Sequence, residues 1–233
     1  MNQDRETRDR LLNAAAALFS ERGFKNVTVR DICRAAQANV AGVNYHFGDK
    51  LGLYREVLQR AIDGMRRTNE EARAAGEGCA PEEKLRRYIV IFLHHILKPE
   101  NAMLHRLVQR EIQDPTPVLD AVVDQGVRPR IEYLAGLVAE LLGGRPDDRR
   151  VLRCVGSIQA QSIVYLPNPV AARLGFSFKP SAGEIEAAAD HIAAFSIGGV
   201  RALRAARAAA AAPRPPLSRV RRHVLTSKVP SRT

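Results

Sequence analysis

Asn44, Tyr45, His46 and Lys50 fall within one short stretch, and their side chains suit a single kind of chemistry, hydrogen bonding to a polyanion whose edges can be read. An Asn offers the paired donor and acceptor that match adenine, and an Ala or Val can meet a thymine methyl. Tyr, His and Lys suit phosphate oxygens. These residues end a segment, 28–50, that spells two short helices, a tight turn and the entry to a longer helix. Thr28 is an N-cap candidate, and Ile32 and Ala36 make the apolar spacing of the first helix. Gln37-Ala38 fills the turn, and Asn39 can cap a second helix whose inward stripe is Val40, Val43 and Phe47. Such a helix-turn-helix generally lays its second helix in the DNA major groove.

With Val43 and Phe47 inward, a turn of ~100° per residue carries Ala41, Gly42, Asn44 and Tyr45 outward or sideways. Gly42 lets the helix backbone approach the duplex, and Arg30, on the first turn of the preceding helix, can reach a guanine edge. Thr28 caps a helix N-terminus that itself favours phosphate. Lys50 gains nothing from the dipole at the start of a long helix, so a phosphate explains it better. The expected DNA contacts are therefore Thr28, Arg30, Asn39, Val40, Ala41, Gly42, Asn44, Tyr45, His46 and Lys50. Plainer alternatives stand beside them: Tyr45 as a packing aromatic, His46 as a hydrogen-bonded core residue, Asn39 as a cap first, Val40 as half core.

The stretch from about residue 7 to 56 resembles the DNA-binding domain of the TetR family of bacterial transcription regulators. The matching residues are Ala14, Leu18, Phe19, Gly23, Phe24, Thr28, Asp31, Ile32, Ala36, Tyr45, Phe47, Lys50 and Leu53. One position departs: Gln37 stands where the family usually has the turn Gly, and a left-handed backbone there costs about 1 kcal/mol. Three later runs, His105–Glu111, Gln125–Pro129 and Val155–Gln159, together with Asn44–Gly48, resemble the CerR/CecR-type branch of that family. The resemblance implies a ligand-responsive repressor that binds a palindromic double-stranded DNA operator as a homodimer. It also implies a small-molecule effector and a cytoplasmic, bacterial setting.

Charge alone would mislead. The net charge is +11, but nine Lys/Arg and no acids lie between Arg201 and Thr233, which leaves residues 1–200 at only +2. The helix-turn-helix, not the basicity, points to DNA. A 45% hydrophobic content is enough to bury a core. No run approaches the ~18 apolar residues of a membrane helix, and Met-Asn-Gln-Asp-Arg-Glu is no signal-peptide start. Cys33, Cys79 and Cys154, widely spaced, suggest neither disulfides nor zinc.

The elements that must position these residues read as helices throughout, so an all-α fold is expected. Leu11, Leu12, Ala15, Leu18 and Phe19 stripe a first helix that Gly23 stops. Asp49 caps a long helix to about Ala75, and Pro81 opens another that Lys98-Pro99 ends. Further helices are expected at about 100–113, 116–142, 147–165 and 182–207, with 166–181 mostly loop. The division expected is a DNA-binding domain at 1–50, an effector-binding and dimerisation domain at 51–208, and a basic disordered tail at 209–233.

Bundles hold ligands among their helices. Arg106, Arg110 and Glu111 are candidates for an effector's polar group, or else a charged network tying helices together. Val155, Ile158, Ile192, Phe195 and Gly199 are the expected dimer interface. His94-His95 with His105 does not complete a metal set, and no cofactor is expected. No nucleophile elbow, P-loop or dinucleotide fingerprint marks an enzyme. The rival reading is a DNA-bound adaptor of the same fold that works through a protein partner and needs no ligand pocket.

Overall fold

The computed structural model describes residues 2–166, 169–175, 178 and 181–211, and among them there is no strand. Helix α1 (Asn2–Arg22) stops where the Gly23 N–H closes onto the Phe19 carbonyl oxygen at 2.9 Å. Helix α2 (Val29–Ala36) opens with a capping box, in which the Thr28 hydroxyl accepts from the Asp31 N–H and the Asp31 carboxylate accepts from the Thr28 N–H. Gln37 then takes the left-handed backbone anticipated for it, at φ 50° and ψ 47°. Asn39 caps α3 (Val40–Phe47), its side-chain oxygen accepting from the Ala41 N–H.

Asp49 starts α4 (Lys50–Ala75) by accepting from the Gly52 N–H at 2.7 Å. Only glycine fits at 52, because a Cβ there would lie 2.0 Å from the Phe47 carbonyl oxygen. At about 1.5 Å per residue, α4 is a rod of roughly 40 Å, and it belongs to two cores. The first gathers Leu11, Phe19, Ile32 and Val43 with Leu53, Tyr54 and Leu58, and it also takes in Leu107, Val118 and Val122. The second surrounds Leu85, Tyr88, Ile89, Leu134, Val138, Ile158 and Ile192, with Ala72 of α4 reaching it.

The second core is built by α5 (Pro81–Leu97), α8 (Arg128–Leu142), α9 (Arg149–Ile163) and α11 (Ala182–Ala211). A one-turn 3₁₀ segment, Pro99–Asn101, leads into α6 (Ala102–Gln113). The helix expected over 116–142 is divided: α7 (Leu119–Ala121), a wide i→i+5 segment over Val122–Val127, then α8. Two residues account for the widening. Pro129 has no N–H to return to the turn before it, and Gly126 is pressed on α4, where a Cβ would lie 2.5 Å from Met65 Cε.

The segment expected as loop contains a short helix, α10 (Pro169–Arg173), and α11 runs past residue 208 to Ala211. The rest of the basic tail, from 212, lies outside the described residues. Val155, Ile158 and Ile192 correct the expected dimer interface. All three are buried inside the protomer, because α9 and α11 turn those faces onto α5 and α8. Phe195, 68% exposed, and Gly199 do lie on the outer face of α11.

Candidate DNA-binding surface and ligand cavity

Helix α3 presents Ala41, Asn44 and Tyr45 outward, Tyr45 with 78% of its surface exposed, while Val43 is sealed in the first core. An aromatic packing role for Tyr45 is thereby removed. Val40 is 44% exposed and does not join the inward stripe. Gly42 also differs from expectation. A Cβ on it would meet Leu11 Cδ1 at 3.7 Å, so this position faces α1 and not a groove.

His46 is held under the start of α1, with Nε2 3.4 Å from Asp4 Oδ1 and only 8% of its side chain exposed. That burial leaves the ring poorly placed for phosphate, and the plainer reading of His46 prevails. The Lys50 ammonium sits 4.2 Å above the Phe24 ring, and burial lowers its pKa. Thr28, Arg30 and Asn39 are exposed, Thr28 and Asn39 already engaged as caps. Hydrogen bonds from the Thr28 side chain and N–H hold the Asp31 carboxyl below the usual carboxylate range.

Behind this unit, α4, α5, α6 and α8, with Ile163 at the end of α9, line a partly open cavity of about 160 Å³. Its wall is mostly apolar, with Met65, Phe92, Ile96, Leu104 and Val108, and its polar members include Thr68, His95, His105 and Arg130. Burial holds both imidazoles neutral, His95 and His105 each lowered to about 4. Their rings meet edge to face at 5.7 Å, while His94 turns away toward Glu186, 3.8 Å off. Among the described residues no group of three His, Cys, Asp or Glu could hold a metal.

Arg106, Arg110 and Glu111, expected at an effector, do not line this cavity. Arg106 is exposed. Arg110 donates to the carbonyl oxygens of Ser20, at 2.8 Å, and Glu21. Glu111 is fully buried, with Oε2 accepting from the Tyr54 hydroxyl at 2.9 Å and Oε1 from the Thr116 N–H and hydroxyl at 2.8 and 3.0 Å. Burial and the Glu111 carboxylate together push the Tyr54 phenol well up. The network alternative is the one observed, because the 107/110/111 face of α6 looks toward the first core. Arg130 carries no distinguishing signal in the sequence, since Arg128 stands two residues before it on the same helix.

A capped helix-turn-helix carried on a helical domain with its own core defines a DNA-binding transcription regulator. Residues 11–57 match the family of bacterial regulatory proteins, tetR family, and residues 81–200 match the C-terminal domain of the HTH-type transcriptional dual regulator CecR. The chain belongs to the TetR family, with a C-terminal domain of the CecR type. It is 27% identical to CecR of Shigella flexneri over 156 residues, covering 63% of this chain and 70% of that one. With the transcriptional repressor KstR2 of Mycolicibacterium smegmatis it shares 39% identity over 64 residues, 28% of this chain and 31% of that one. Among solved structures it resembles PfmR of Thermus thermophilus, with TM-score 0.59, 21% identity and coverage of 79% and 97%. KstR2 of Mycobacterium tuberculosis gives TM-score 0.58, 21% identity and coverage of 82% and 93%. These relatives are regulators and not enzymes. Among the described residues no helix is long and apolar enough to cross a membrane.

Proposed function

We propose that this regulator is a cytoplasmic homodimeric repressor released from a palindromic operator by a small molecule that enters the cavity. One observation carries the reading: α6 is shared between cavity and DNA-binding unit. Leu104, His105, Val108, Gln109 and Ile112 line the cavity, while Leu107, Arg110 and Glu111 of the same helix grip the first core and the end of α1. A ligand that favours a different seat for α6 moves α1, and with it α3. By linkage it must lower operator affinity as far as it prefers that seat.

In this reading residues 1–50 contact DNA through Arg30, Ala41, Asn44, Tyr45 and Lys50, and 51–208 hold effector and dimer contacts. The dimer uses the outer faces of α9 and α11, where Leu152, Phe195 and Leu203 are exposed beside Gly156 and Gly199. A self-complementary patch there pairs two α3 helices on half-sites about one helical turn apart. The basic end beyond Arg201 adds sequence-independent attraction to DNA. The adaptor reading predicts a filled core, and the apolar cavity speaks against it.

Mapping genomic binding sites supplies the operator for the test. Gly64, on α4 in the cavity wall, has ordinary room for a Cβ, with His95 Cε1 at 3.5 Å. Gly64→Ala should bind operator like the wild type. Gly64→Met, which fills the cavity as a ligand does, should bind at least tenfold more weakly. Equal affinity for the two variants sinks ligand control.

A further inference from the structure

Arg130 is a cation that the fold positions and, among the described residues, leaves without a counter-charge. Its guanidinium carbon lies 4.6 Å above the Phe92 ring, and its Nη1 donates to Gln159 Oε1 at 2.6 Å. Gln159 is itself anchored, donating from Nε2 to the Tyr88 hydroxyl at 2.8 Å. The guanidinium is therefore oriented from two sides. Its Nε is buried and has no hydrogen-bond partner among the described residues.

Among the described residues no carboxylate pairs with Arg130, and no Asp or Glu lines the cavity. Residues 164–183, which include the lining residue Leu166, contain no acid either. A second buried polar atom without a partner, His105 Nε2, belongs to the same wall. Both cavity imidazoles are neutral, so they supply a donor without adding charge. Asn69 Oδ1, a third such atom, does not belong to the cavity lining. An unpaired charge in an apolar wall is costly until an opposite charge meets it, and an unmade buried hydrogen bond adds to that cost.

The space sets the rest. A cavity near 150 Å³ accepts a benzene ring, and this one measures about 160 Å³. Taking the ligand-control reading as its basis, we infer that the effector is a small monoanion, an apolar body of about one ring bearing a single carboxylate or phenolate that pairs with the free edge of Arg130. A dianion finds one cation in the cavity lining where it needs two, and a cation meets Arg130 as a like charge. A neutral amide leaves that charge uncompensated.

The probes are sodium benzoate, benzamide and benzylamine, titrated calorimetrically into the full chain at pH 7.5. Benzoate should bind at least tenfold more tightly than either isostere. Arg130→Met should erase that preference with the helical circular dichroism unchanged. Arg130→Lys, which keeps the charge, should retain part of it, and the wild-type ranking decides even if Arg130→Met fails to fold. Benzamide or benzylamine binding as tightly as benzoate, or a preference surviving in folded Arg130→Met, overturns the anion and leaves ligand control standing. Binding of none of the three also overturns it. Ligand control falls as well only if Gly64→Met and Gly64→Ala bind operator alike.

Discussion

Arg110 reaches from α6 to the last turn of α1, where its Nε donates to the Ser20 carbonyl oxygen at 2.8 Å. Helix carbonyls at a C-terminus lack partners within the helix and attract cations. This one bond, with its neighbour to Glu21, fastens the start of the DNA-binding unit to a wall of the cavity. Arg110→Ala should cost about 1–2 kcal/mol of stability. Its sharper effect is on coupling: cavity binding should stay within about twofold, while release from operator by the effector weakens. Paired ligand and operator titrations read the two separately, and an unchanged release would mean that Arg110 only holds the fold.

Tyr54 and Glu111 make the complementary test. Tyr54→Phe removes one of the donors to a fully buried carboxylate, and hydrogen bonds to charged groups are worth about 1.5–3 kcal/mol. Tyr54→Phe with Glu111→Gln should lose less than the sum of the singles. Additive losses in urea denaturation would show that the pair is not coupled.

Acid should loosen the cavity. Unfolded imidazoles take up protons near pH 6.5, whereas folded His95 and His105 hold out to about 4. Between those values the unfolded chain binds more protons. The stability is whole above about pH 6.5 and falls as pH drops toward 4, on the order of 2 kcal/mol for each imidazole after allowing for partial exposure. His105→Leu should shrink the difference between urea midpoints at pH 7.5 and 5. A midpoint difference as large as the wild type's excludes His105 as a source.

The recognition surface separates by type of contact. Asn44→Ala should cost about 1–3 kcal/mol on the cognate operator alone, whereas Tyr45→Ala should weaken all sequences alike. Lys50→Ala should lower the salt slope by about 1. Because its ammonium lies over Phe24, that variant should also lose about 0.5–1 kcal/mol of stability. Lost stability with an untouched salt slope would assign Lys50 to Phe24 and not to phosphate.

Phe195 and Ile192 sit on one helix with opposite surroundings, 68% and 1% exposed. Phe195→Glu should give folded monomers by light scattering, without palindrome binding. Ile192→Glu puts a charge in the second core and should unfold the chain. A dimeric Phe195→Glu protein places the interface elsewhere.

What could be read beforehand follows from where the information resides. Thr28, Asn39 and Asp49 cap their helices through bonds within three residues, so their roles are local and legible. The strained Gln37 is local in the same way. Val155, Ile158 and Ile192 were not separable from Phe195, because helical spacing marks an apolar face without saying which neighbour covers it. Arg130 and Glu111 depend on partners from several helices, Glu111 on a hydroxyl 57 positions away. Gly42 misled for a smaller reason: one step of ~100° decides between groove and α1.

The first core draws Leu107, Val118 and Val122 from beyond α5. A gene fragment encoding only the helix-turn-helix therefore carries an incomplete hydrophobic interior. Recombination that grafted residues 1–50 onto another regulator would have to find matching side chains on the recipient's α6 and on the turn that follows. The inheritable unit of DNA recognition in this protein is discontinuous, and lineages can retune its contacts by point substitution far more easily than by exchanging cassettes.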